Sequence, residues 1–221
     1  MKKLLYIAAS PKAEDISVSK TVGREFINSF IKANTDYTVE ELDLYSEYIP
    51  EINSKTFTNR GEVVSGDMYE SLSQKDKDDV NRINNLCNQF LSADTYVISS
   101  PMWNVSFPAR LKTYLDCIII NGRVISVSPK EVKGLLNDKE RNMVYIQSSG
   151  GVYPRIIGWK LNYGIDYFHD IFKFLGIKKF EKILVQGTDM PEIGREKAIE
   201  NVKNDISDTI ERLSGNVLLR I

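Results

Sequence analysis

A chain of 221 residues has room for one α/β domain with a large core, or for two small domains. A formal net charge of −1 with 27% charged residues gives no electrostatic footprint for a nucleic acid, so no such partner is expected. No run of about 18 apolar residues occurs, which excludes a helical membrane span. One histidine and two distant cysteines exclude a structural zinc centre, and no metal is expected. The opening MKKLLYIAAS mimics a secretory signal. Its apolar run, Leu4 to Ala9, is shorter than the roughly 7–15 residues of a signal core, and it meets Pro11 and Lys12 without a small-x-small cleavage site. It reads as a first, buried strand over Lys3 to Ala9.

Ser10 and Pro11 break that strand. A polar loop from Pro11 to Ile16 carries Glu14 and Asp15, which are expected to face solvent. Ser17-Val18-Ser19 opens a helix to about Ala33, with Val22, Phe26, Ile27, Phe30 and Ile31 inward. Either serine can serve as an N-cap. A strand ending at a helix N-terminus also offers free N–H groups and a dipole that favour a phosphate, with serine hydroxyls as further donors. Neither Gly-x-Gly-x-x-Gly nor a Walker A sequence is present, so a pyrophosphate loop and a triphosphate site are disfavoured. Tyr37 to Leu42 is the second strand. Residues 53–68 lack periodicity and are expected to be a short helix or an irregular excursion. Ser73 to Leu91 is a helix whose charged Gln74–Asp79 face is solvated. Cys87 here, and Cys117 further on, fall on apolar helical faces. That pattern suits reduced thiols and a cytoplasmic protein.

The stretch Asp94 to Cys117 is the most distinctive. Tyr96-Val97-Ile98 is the third strand. Ser99-Ser100-Pro101 turns it into Met102-Trp103-Asn104-Val105, and a helix follows with Pro108 in its first turn and Leu111, Tyr114, Leu115, Ile118 and Ile119 on one face. Pro101 and Pro108 stiffen the loop between them. The result is a rigid, mostly apolar shelf with exposed amides, suited to a flat heteroaromatic ring. Val124 to Val127 suggests half of a small hairpin outside the main sheet, and Lys133 to Glu140 a charged connector. Asn142 to Gln147 is the fourth strand, ending in Ser148-Ser149-Gly150-Gly151, where two glycines permit close backbone approach. Leu161, Ile165, Phe168, Phe172 and Leu175 form an apolar helix stopped by Gly176. His169 lies on it without a catalytic partner set. Phe180 to Val185 is the fifth strand, and one final helix runs from Pro191 through Leu213.

Alternating strands and helices predict an α/β three-layer sandwich with a five-stranded parallel sheet and helices on both faces. The flavodoxin-like order 2-1-3-4-5 puts its switch point between the first and third strands. The distinctive loops follow the first, third and fourth strands, which is where that rule places a ligand.

Taken together, these motifs resemble the FMN-dependent NAD(P)H azoreductases and quinone reductases of the flavodoxin-like fold, over nearly the whole chain. The likeness rests on Ser10-Pro11 with Ser17-x-Ser19, on Pro101-Met102-Trp103-Asn104 with Pro108 and Leu111-Lys112-x-Tyr114-x-Asp116, on Gly134-Leu135-Leu136-x-Asp138-Lys139, on Ser148-x-Gly150-Gly151, and on Phe172-x-Phe174-Leu175-Gly176-Ile177. The resemblance implies one domain over residues 1–221 and non-covalent FMN, one per subunit of a homodimer. Ser10, Ser17, Val18 and Ser19 would hold the phosphate. Met102, Trp103, Asn104 and Val105 would line the ring and ribityl chain, and Ser148, Ser149, Gly150 and Gly151 would close on the pyrimidine end. It further implies ping-pong transfer from NADH or NADPH to quinones or aromatic azo compounds, with the chemistry on flavin N5 and no protein acid or base. Trp103, Val105, Ser149 and Tyr153 depart from the family pattern and would shape the substrate face. A flavodoxin-like FMN electron carrier without its own NAD(P)H turnover is the alternative.

Overall fold

A computed structural model describes residues 1–58, 60–153 and 161–214. Five parallel strands form the sheet: β1 (Lys2–Ala8), β2 (Tyr37–Asp43), β3 (Thr95–Pro101), β6 (Asn142–Ser149) and β7 (Lys179–Gln186), in the order β2-β1-β3-β6-β7. By sheet-strand count this is 2-1-3-4-5, the flavodoxin-like arrangement expected. The three central strands β1, β3 and β6 are buried almost throughout because both faces are covered, while the edge strands β2 and β7 are more polar. Leu5, Ile7, Tyr96, Ile98, Met143 and Tyr145 enter one core, while Leu4, Tyr6, Val97, Val144 and Ile146 enter the other. Each fully buried aliphatic side chain contributes about 1.5–3 kcal/mol.

The first core is closed by three helices. These are α3 (Gln74–Ser92), through Ile83, Leu86 and Phe90; α4 (Ala109–Ile118), through Leu111, Tyr114 and Leu115; and α5 (Tyr163–Leu175), through Ile165, Phe168 and Phe172. The second core is closed by α1 (Val18–Ala33), α6 (Gly194–Glu200) and α7 (Lys203–Ser214). The aperiodic stretch forms a Phe57–Val63 bridge and the five-residue helix α2 (Gly66–Glu70). A hairpin of β4 (Ile125–Val127) and β5 (Val132–Gly134) stands apart from the main sheet. Its second strand takes the first residues of the expected connector. Cys87 and Cys117 are buried and free, and burial pushes their thiols up to about 11 and about 12.

Three expectations are corrected. The final helix is two helices, because the amide bonds shift at Asn201 and Val202 (Val202 N–H to the Ile199 carbonyl, 3.2 Å), which keeps Val202 in the core. Leu161 is exposed rather than on the core face. Asn162 breaks the pattern by capping α5, its side chain accepting from the Ile165 amide. Pro108 precedes its helix: its ψ of 141° is extended, so it occupies the cap and α4 begins at Ala109. Gly176 does stop α5, at φ 114°, and a Cβ there would lie 2.9 Å from the Asn137 amide nitrogen.

Candidate active site

The carboxyl ends of β1, β3, β6 and β7 surround a cavity of about 370 Å³ at the switch point. Of the residues expected to bind, Ser10, Ser17, Val18, Met102, Trp103, Ser148, Ser149 and Gly150 line it. Ser19 sits directly behind, with its hydroxyl 3.3 Å from that of Ser17. Gly151 continues the β6 loop. Asn104 and Val105 do not line the cavity; they form the tip of the turn beyond Trp103.

The first wall is the start of α1. Ser17 is extended (φ −81°, ψ 111°) and caps the helix by accepting from the Lys20 amide. The amides of Val18 and Ser19 have no intrahelical acceptor, and no acidic residue stands in the first turn. This end therefore carries an unopposed positive dipole beside hydroxyls of Ser10 and Ser17 that are almost fully buried. Glu14 does not oppose it, because Arg24 holds its carboxylate (3.0 Å) while bonding Glu41 as well (2.6 Å). Asp15 is exposed. Lys20 points elsewhere, its ammonium bonding Asp43 at 2.6 Å.

The second wall is the 102–105 segment. Met102 donates its amide to the Ser148 carbonyl (2.7 Å), fixing the β3 and β6 loops together. Trp103 and Ser106 then exchange both backbone hydrogen bonds (3.2 and 2.9 Å), and both residues between them have positive φ: Asn104 at 48° and Val105 at 58°. This is the pattern of a type I′ turn. Asparagine tolerates it, but a β-branched valine there is strained. The turn is braced from behind. Tyr163 donates its amide to the Val105 carbonyl (3.0 Å), and Asn162, which caps α5, donates its side-chain amide to the buried Gln147 (2.9 Å).

The third wall is the 148–151 loop. Amides of Gly187, Thr188 and Asp189 bond the carbonyls of Gly151, Ser149 and Gly150 (3.0–3.1 Å), while the amides of Gly150 and Gly151 have no acceptor among the described residues. Gly150 allows a close approach: a Cβ there would fall 2.4 Å from Asp189 Oδ2 and would displace that carboxylate. The loop after β7 was not singled out from sequence, yet it brings Thr188, Asp189 and Arg195 to the cavity, and Lys12 joins them from the β1 loop. The signal that would have found it is the strand-end rule applied to the fifth strand. His169 lies away from the cavity, on α5 beside Asp170 (2.9 Å).

A parallel sheet of this order, with amide-rich loops gathered at its switch point, defines a protein of flavodoxin-like fold, and the sequence model of the flavodoxin-like fold family matches residues 2–210. FMN-dependent NADH:quinone oxidoreductase 1 of Clostridium acetobutylicum is 54% identical over 213 residues, 96% of each chain. The FMN-dependent NADH:quinone oxidoreductase of Ruminiclostridium cellulolyticum is 45% identical over 96% of this chain and 100% of its own. Among solved structures, an FMN-dependent NADH-azoreductase from Bacillus anthracis in complex with FMN superposes with a TM-score of 0.82 at 28% identity, covering 96% of this chain and 99% of that one. The chain belongs to this family of FMN-dependent NADH:quinone oxidoreductases and azoreductases.

Proposed function

We propose that residues 1–221 act as one flavin-binding domain, an FMN-dependent NAD(P)H oxidoreductase that reduces quinones and cleaves aromatic azo compounds. The observation that carries this reading is the cavity itself: a helix N-terminus with buried hydroxyls at one end, and a shelf of Met102 and Trp103 with unpaired loop amides at the other. These residues fit FMN. The single phosphate suits the first turn of α1, Ser10, Ser17 and Ser19 rather than a pyrophosphate loop. The flat ring suits the stiff 102–105 shelf, with Asn104 and Val105 offering donors from the turn tip. Bound FMN supplies two-electron hydride chemistry between NADH or NADPH and the acceptor.

The chain's own contribution is position and polarity. Gly150 and Gly151, pinned by the β7 loop, present amides from a backbone held in place, which would let them donate to the ring of bound FMN with little reorganisation. Trp103, 44% exposed, gives a substrate an aromatic surface. Trp103 and the exposed Tyr163 flank the 102–105 turn, which supports a homodimer contact beside the cleft. No helix of the described residues is long and apolar enough to cross a membrane, in keeping with a cytoplasmic reading.

An absorption spectrum of the purified protein, followed anaerobically after NADH or NADPH is added, tests this. Flavin bands should be present, bleach with a nicotinamide donor, and return with a quinone or an azo dye. Bands that persist under both donors would replace the reductase with an electron carrier, and a protein that takes up no FMN would remove the site.

A further inference from the structure

Arg195 is unlike the other arginines near the cleft. It is the second residue of α6, yet its side chain crosses to the loop that opens α1. There Nη2 donates to the Asp15 carbonyl (2.5 Å) and to the Thr21 hydroxyl (3.1 Å). Those contacts fix the guanidinium beside the Ser17–Ser19 turn. Neither Nε nor Nη1 has an acceptor, and no carboxylate pairs with the group among the described residues. Arg24, by contrast, is saturated by Glu14 and Glu41. Arg195 lines the cavity together with Ser10, Lys12 and Ser17. The remaining charged lining residue, Asp189, lies against Gly150 at the β6 loop.

A phosphate monoester at the start of α1 is a dianion near neutral pH. The helix amides and the serine hydroxyls are neutral donors. A guanidinium held in place by one Nη keeps its fork geometry and loses little side-chain entropy when an anion arrives. We propose that Arg195 is a binding residue for the phosphate of FMN, completing with its charge the site that the serines begin. The inference rests on the flavin reading above and names a residue outside the family-like motifs.

The test separates phosphate from ring. Release of FMN from the holoenzyme, and titration of the deflavinated full chain with FMN and with riboflavin, are compared for the wild type, Arg195→Met and Arg195→Lys. Arg195→Met should weaken FMN binding about 10- to 100-fold, the range for a lost charge-assisted hydrogen bond. Riboflavin, lacking the phosphate, should bind both proteins alike. The lysine variant should recover part of the loss, and added salt should weaken FMN binding more in the wild type than in Arg195→Met. Equal losses for FMN and riboflavin would overturn the proposal and leave Arg195 as a loop brace. Unchanged FMN affinity with weaker NADPH binding would also overturn it, moving the guanidinium to the electron donor's phosphates. A wild type that binds riboflavin as tightly as FMN would overturn the phosphate contact while keeping the flavin site. A wild type that binds neither would remove the flavin reading itself.

Discussion

The two ends of the sheet are built on opposite rules. At the amino end the strong polar groups are closed within the chain, apart from the buried Nε of Arg141. Asp94 accepts from the Lys3 amide (2.8 Å) and from Lys139 Nζ (2.7 Å), and Lys139 also donates to the Ser92 carbonyl. Arg141, its side chain 2% exposed, bonds Asp138 and donates to the carbonyls of Leu136 and Leu91. At the carboxyl end, the amides of Gly150 and Gly151 and the Nε and Nη1 of Arg195 have no partner among the described residues, and one turn is strained. Hydrogen bonds closed within the chain stabilise the fold, whereas donors left open around a cavity cost stability and are available to a ligand.

That contrast can be broken at its strongest point. Arg141→Met should destabilise the protein by about 3 kcal/mol, because the buried Leu136 carbonyl, the partly buried Leu91 carbonyl and the Asp138 carboxylate lose their donor. FMN retention should survive under conditions where the variant remains folded. Urea unfolding, paired with a flavin titration, measures both. A loss of flavin affinity in the folded variant would show that the two ends are coupled.

Acid sharpens the same comparison. Burial raises the Asp94 carboxyl, but the Lys139 ammonium and the Lys3 amide outweigh it and hold it below the usual carboxylate range. A folded-state value below the unfolded one means the unfolded chain takes up the proton first. The stabilisation is therefore complete above the unfolded value and fades as pH falls below about 4. Asp94→Asn should cost about 1–2 kcal/mol at neutral pH, and its difference from the wild type should shrink in acid. Thermal unfolding across pH tests the sign, and a difference that grows in acid would reverse the assignment.

The smallest effect belongs to the cleft. Val105→Gly relieves a valine at φ 58° and should raise stability by about 0.5–1 kcal/mol, net of the extra chain entropy of glycine. A melting curve and a flavin titration should move in opposite directions, with the looser turn holding the ring less well. A fall in melting temperature would mean that the Val105 side chain contributes more than its backbone costs.

Most of the fold was legible because five strands, the central three of them strongly apolar, alternate with helices of clear period. The site was legible only where backbone punctuation marks it, at Ser10-Pro11, Ser17-x-Ser19, Pro101 and Gly150-Gly151. The turn at Asn104 and Val105 was not, since a β-branched residue gives no local sign of positive φ and the brace from Asn162 and Tyr163 lies far along the chain. Thr188, Asp189 and Arg195 escaped for a related reason: only the packing of β7 beside β6 makes them neighbours of the first helix. Val202 kept the hydrophobic period across a helix break, so periodicity could not reveal that break.

The bond from Arg195 to the Asp15 carbonyl joins residues 180 positions apart. The cleft is therefore shared between the first and last parts of the polypeptide, and no early fragment of the chain contains it. Closing so long a loop belongs to the slow, non-local part of folding. A ligand in the cleft would consequently favour the completed sheet as a whole over any partly assembled state, and the gain would grow with ligand concentration by mass action.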